Sequence, residues 1–117
     1  MDTEAKIQRH LASAETFTIG RSAKKYRKVL KRVLCHDGTT LSIQASDTHY
    51  CMPRDNDGPW CAVEVGFPSR KLDGLMEWAE TPDAPTETVY GYVPMAVLVK
   101  VIDECGGLVG PERLSLK

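Results

Sequence analysis

The sequence lacks any hydrophobic run of membrane-spanning length. The apolar stretch Met95 to Val99 lasts five residues before Lys100, where a transmembrane helix needs about 20. The amino terminus, MDTEAKIQRHL, carries acids and has no apolar h-region, so it does not read as a secretory signal, and the expected compartment is the cytoplasm. The usual signatures of chemistry are also missing. Neither C-x2-C nor H-x3-H occurs, which leaves no conventional zinc spacing. No nucleophile elbow or papain-like string is present. Gly106-Gly107 follows a helical pattern instead of opening one, so its amides do not form an anion site at a helix N-terminus. No helix-turn-helix, zinc finger or RNP aromatic pair is visible. These absences point away from an enzyme and imply no cofactor.

What is present fits one soluble domain. The chain has 117 residues, 42% apolar and 26% charged, enough for a single core. Its four cysteines, with no signal peptide ahead of them, read as thiols. Charge is unevenly placed. Residues 1–36 hold nine Lys/Arg and three Asp/Glu, a balance of +6, and residues 37–117 hold six and thirteen, a balance of −7. Such asymmetry can steer a charged partner of either sign.

The pattern predicts a short first helix capped by Asp2 or Thr3, with Ile7 and Leu11 on a narrow apolar stripe. Thr16–Ile19 alternates as a brief extended segment. Tyr26, Val29, Leu30, Val33 and Leu34 match a helical face, yet the hairpin reading from about Lys28 to Ser46 is preferred, turning at Asp37-Gly38 as a type I′ turn. Cys61–Phe67 reads as a third strand. Ser69 should cap a helix from Arg70 to about Glu80, and Thr88–Val93 should form a fourth strand. Pro94 is expected at N1 of a last helix whose face is Val97, Leu98, Val101, Ile102 and Cys105, stopped by Gly106-Gly107. The result is an α+β fold, a small mostly antiparallel sheet of about four strands with two to three helices. Residues 1–27 read as a basic N-terminal extension, 28–109 as the core and 110–117 as a frayed tail.

Three constellations could carry function. Cys35, His36, His49, Cys51 and Cys61 are candidate metal ligands, and Cys51 with His36 or His49 and Asp37 or Asp47 could form a nucleophile, base and orienter. Three histidines and four cysteines generate such combinations by chance, and buried small cysteines are the simpler reading, so no metal or catalytic site is assigned. Second, Arg21 to Arg32 holds seven basic residues and no acid. Lys24, Lys25, Arg27, Lys28, Lys31 and Arg32 could neutralise phosphates in weak, salt-sensitive nucleic-acid binding, against the commoner alternative of a solvated flank. Third, the acids could complement the basic groove of a nucleic-acid-handling machine. Asp55, Asp57, Glu77 and Glu80, with Trp60 and Trp78 as exposed aromatic anchors, are the candidate partner-binding residues.

Several strings are more specific: Asp37-Gly38, Leu41–Ser46, Tyr50-Cys51, Pro53-Arg54, Gly58-Pro59, Val63–Ser69, Thr88–Pro94 and Gly106-Gly107. Together they resemble small proteins encoded in phage and prophage genomes, over roughly residues 33–107. No activity or site residue carries over from that resemblance. It implies a context in which small cofactor-free proteins bind and disable host proteins. The expectation is a non-catalytic inhibitor of a host defence complex in the bacterial cytoplasm, with an anti-CRISPR protein blocking a CRISPR effector as the specific case. The alternative is a nucleic-acid-binding accessory protein using residues 21–32.

Overall fold

A computed structural model describes residues 2–21 and 24–111. Helix α1 (Thr3–Ala12) is followed by β1 (Thr16–Phe17), β2 (Tyr26–Arg27), β3 (Val33–Cys35), β4 (Thr40–Gln44) and β5 (Ala62–Gly66). A 3₁₀ turn (Asp73–Trp78), β6 (Val89–Pro94), α2 (Met95–Glu104) and β7 (Leu108–Pro111) follow among the described residues. β1 and β2 pair as a small antiparallel arm, and the main sheet is antiparallel in the order β6-β5-β4-β3-β7. This is the α+β architecture the pattern predicts, with one more strand in the main sheet. No described helix is long and apolar enough to cross a membrane.

The helices cover one face of the sheet. Leu41, Ile43, Val63, Val65 and Val93 point from the strands into a core completed by Ile7 and Leu11 of α1 and Leu98, Val101 and Ile102 of α2. Ile7 and Leu11 have no solvent exposure. Helix α1 is therefore part of the domain, and the N-terminal extension expected for 1–27 is not an appendage. Asp2 caps it, its carboxylate accepting from the Ala5 N–H at 2.7 Å, and the two-residue stripe suffices because it docks on a ready core. At the other end of the fold, Gly106 and Gly107 take positive φ and donate to Asp103 and Ile102 carbonyls. That is a Schellman stop, which frees the chain to turn back.

Four expectations need correction. The Asp37-Gly38 hairpin forms, but only Gly38 of the pair has positive φ. Gly38 N–H donates to Cys35 O and Cys35 N–H to Thr39 O, the pattern of a three-residue loop with a glycine bulge instead of a type I′ turn. Residues 70–80 form no α-helix. Ser69 is tied to β4, donating its N–H to Thr40 O at 2.7 Å and accepting from Thr40 N–H at 2.9 Å. The chain bends at Ser69 and Arg70, is extended at Leu72 and enters the 3₁₀ turn at Asp73, where a Cβ on Gly74 would come within 2.8 Å of Val101. Tertiary pinning has overridden a local helical pattern. Gly110 and Pro111, expected in the frayed tail, end an edge strand on β3, Leu108–Pro111; residues 112–117 of that tail lie outside the described residues. Finally, Trp60 is 3% exposed and belongs to the core, so it is no surface anchor.

Candidate protein-binding face

The sheet has an irregularity at β5–β6. Val63 faces Val93 and Val65 faces Tyr90, so Gly91 and Tyr92 together oppose Glu64. This is a β-bulge, which leaves an extra residue free to re-aim its side chain. Tyr92 takes φ 55°, a left-handed conformation that costs a bulky residue roughly 1–2 kcal/mol. What holds it there is Tyr50, whose carbonyl accepts the Tyr92 N–H at 2.9 Å.

Tyr50 reaches this place because β4 is interrupted. After Gln44 the chain makes an excursion and rejoins β5 only at Met52, which bridges to Ala62. Tyr50 N–H donates to the Glu64 carboxylate at 2.9 Å, fixing the excursion over the bulge. A Cβ on Gly91 would lie 3.2 Å from Tyr50 Cβ, so glycine permits the close approach.

The outcome is an exposed aromatic face. The Tyr50 and Tyr92 rings lie 5.8 Å apart, each 44% exposed. Arg54 stacks on Tyr50 at 5.6 Å, and Met52 is exposed beside it in sequence. Trp78, half-buried at the end of the 3₁₀ turn, and Glu80 complete a shallow groove of about 210 Å³ with Tyr50, Gly91 and Tyr92. The Glu80 N–H bonds Val89 O at 2.9 Å, so this segment also covers part of the β6 edge. Of the partner-binding residues expected from sequence, Trp78 and Glu80 meet here, and Glu77 lies one residue before Trp78 on its other side, facing a second recess.

Asp55 and Asp57 are elsewhere. The Asp55 carboxylate accepts from the Asp57 and Gly58 N–H groups at 3.0 Å, and its carbonyl accepts the Trp60 indole N–H at 3.3 Å. They shape the loop that packs Trp60. Sequence reasoning missed Tyr50, Met52, Arg54 and Tyr92. A glycine inside an otherwise clean strand pattern, Gly91, was the available signal for a bulge or a close approach.

Within the basic segment Tyr26–Arg27 form β2, and Arg27 and Arg32 of its candidate residues donate to the fold's own carbonyls. Arg27 donates to the carbonyls of Ala45 (2.9 Å) and Leu11, and lies over the Trp60 ring at 5.2 Å. Burial is the main influence lowering the Arg27 pKa. Lys28 pairs with Glu15 at 3.0 Å, and Arg32 donates to Phe67 O at 2.6 Å and to Thr40 Oγ1. Lys24 lies over the Tyr26 ring at 5.1 Å; Lys25 and Lys31 are exposed. The run is thus no continuous stripe of outward charge.

The thiols and imidazoles do not assemble either. Cys51 donates to Ser46 O at 3.1 Å, with Pro53 O at 3.4 Å, and burial raises its pKa. His49 Nδ1 meets Ser46 Oγ at 2.6 Å, on a serine that is itself buried. Cys35 is pushed up to about 12, first by burial and then by Cys105 and Asp37, and stays a neutral thiol. Cys61 is exposed, and His36 is exposed beside Gly106. Among the described residues no three His, Cys, Asp or Glu side chains gather as for a metal ion.

Comparisons with family models, curated proteins and solved structures find no match.

Proposed function

We propose that this protein is a non-catalytic binding protein that docks a partner protein through the Tyr50–Tyr92 face. The observation that carries the reading is the strained, exposed Tyr92 beside Tyr50. A left-handed tyrosine with nearly half its surface in water gives the fold little, and backbone strain of this kind concentrates at functional sites. Tyrosine, tryptophan, methionine and arginine are also the side chains enriched where interfaces bind most strongly.

In its specific form, resting on the resemblance of residues 33–107 to phage and prophage proteins, the reading is an inhibitor of a host defence complex, with a CRISPR effector as the target. The acids Glu77 and Glu80 beside Trp78 suit a target with a basic surface. The reading is tested by capture of purified CRISPR effector complexes and of bacterial lysates on the immobilised chain. A defined complex retained by the wild type and lost with Tyr50→Ala and Tyr92→Gly is the expected result. Capture unaffected by both substitutions, or no capture alongside a salt-sensitive gel shift that Lys25→Glu and Lys31→Glu abolish, would overturn it in favour of another surface or of nucleic acid.

A further inference from the structure

The groove has a chemistry narrower than that of a general contact surface. It is lined by two tyrosines, one tryptophan, one acidic residue, Glu80, and Gly91, which has no side chain. Aromatic faces carry negative quadrupole charge and attract cations, most strongly organic cations that give up water easily. Here one ring already shows the effect, since Arg54 stacks on Tyr50 at 5.6 Å without lining the groove. Glu80 makes no ion pair among the described residues. Three aromatic residues and one acid without an ion-pair partner thus line a space of about 210 Å³.

We infer that this groove is a receptor for an organic cation, a guanidinium or alkylated ammonium group. The inference deepens the proposed function and rests on it for the identity of the source, which there is a basic side chain of the partner. A lysine ammonium, small and strongly hydrated, loses more on leaving water than a guanidinium does, so the groove favours arginine or a methylated amine. Glu80 supplies the long-range attraction and the rings supply the contact, so removing either should weaken binding without unfolding the domain.

The test uses the whole chain and three small probes: choline, N-acetylarginine amide and 3,3-dimethylbutan-1-ol, the uncharged carbon isostere of choline. Amide and indole NMR shifts are followed. The Trp60 indole, buried and bonded to Asp55 O, is the internal control. Saturable shifts at Trp78, Gly91 and Tyr92 with the two cations, none at Trp60, and weakening by about fivefold in Glu80→Gln are expected. Tighter binding of the arginine probe assigns a protein side chain, and tighter binding of choline a free quaternary amine. Equal shifts from the neutral isostere, or no saturation by either cation at millimolar concentration, would overturn the cation site. Capture of a partner that is lost with Tyr50→Ala but indifferent to Glu80→Gln would overturn it too, while leaving the protein-binding reading intact. Cation binding without any captured partner would remove that reading and keep the receptor.

Discussion

Trp60 and Trp78 sit in regions that treat polar groups in opposite ways. Around Trp60 every strong donor turns inward. Gln8 clamps its backbone, donating to the Trp60 carbonyl at 2.7 Å and accepting its N–H at 3.1 Å, Asp55 holds the indole, and Arg27 closes the ring face while bridging α1 to the end of β4. Around Trp78 the polar groups are left open, with Glu80 unpaired among the described residues and two tyrosine rings in solvent. The two regions hold the same residue types, aromatic rings with arginine and acid. In one they complete a core, and in the other they form a surface whose cost the fold carries.

The comparison breaks most visibly at Trp60. Trp60→Ala would empty a core site and remove the ring on which Arg27 lies, and large-to-small core substitutions of this size cost about 3–5 kcal/mol. Urea denaturation of both alanine variants checks the contrast. Trp78→Ala, at a half-buried position, should lose clearly less stability, and equal losses would show that Trp78 is a core residue like its counterpart.

A smaller effect separates the basic residues. Arg27→Ala leaves the Leu11 and Ala45 carbonyls without their charged donor, and hydrogen bonds to charged groups contribute about 1.5–3 kcal/mol each. Part of that is recovered by water, because Arg27 is not fully buried, so a loss of about 2–3 kcal/mol is expected in the same denaturation experiment. Lys25→Ala and Lys31→Ala should stay within about 0.5 kcal/mol of wild type. Lys28→Ala breaks only an exposed pair with Glu15, at most about 1 kcal/mol. A uniform response along the run would mean that Arg27 is one more solvated charge.

The ease of reading these regions from sequence differs for a physical reason. Periodicity reports which residues are apolar and how far apart they lie, so it recovers α1, β3–β4, β5, β6 and α2 closely. It cannot report the direction of an amphipathic side chain. Arg27 and Lys28 are neighbours of the same charge, yet one reaches inward to carbonyls and the other outward to Glu15. Trp60 and Trp78 are likewise equivalent in composition. The helix expected at 70–80 fails for a related reason, since Ser69 has a partner across the sheet that no local pattern contains. Tyr50 and Tyr92 lie 42 positions apart, and their meeting depends on the interrupted β4 and the bulge in β6, both non-local; only Gly91 marks the place in the sequence.

The smallest expected change in stability tests the site most directly. Tyr92→Gly removes a side chain from a left-handed position where glycine is unstrained, relieving about 1 kcal/mol. It also gives up the ring contact with Tyr50, whose worth at an exposed site is about 0.5–1 kcal/mol. The two nearly cancel, so the thermal midpoint should stay within a few degrees of wild type or rise slightly. Binding of a partner or of a cation should nevertheless be lost, because the groove loses one of its walls. A variant that is as stable as the wild type and does not bind would mean that the strain at Tyr92 is maintained for recognition. A variant that loses stability well beyond those degrees would mean that the Tyr50–Tyr92 pair closes the fold at the interrupted strand, which would give the exposed face the same structural duty as the buried one around Trp60.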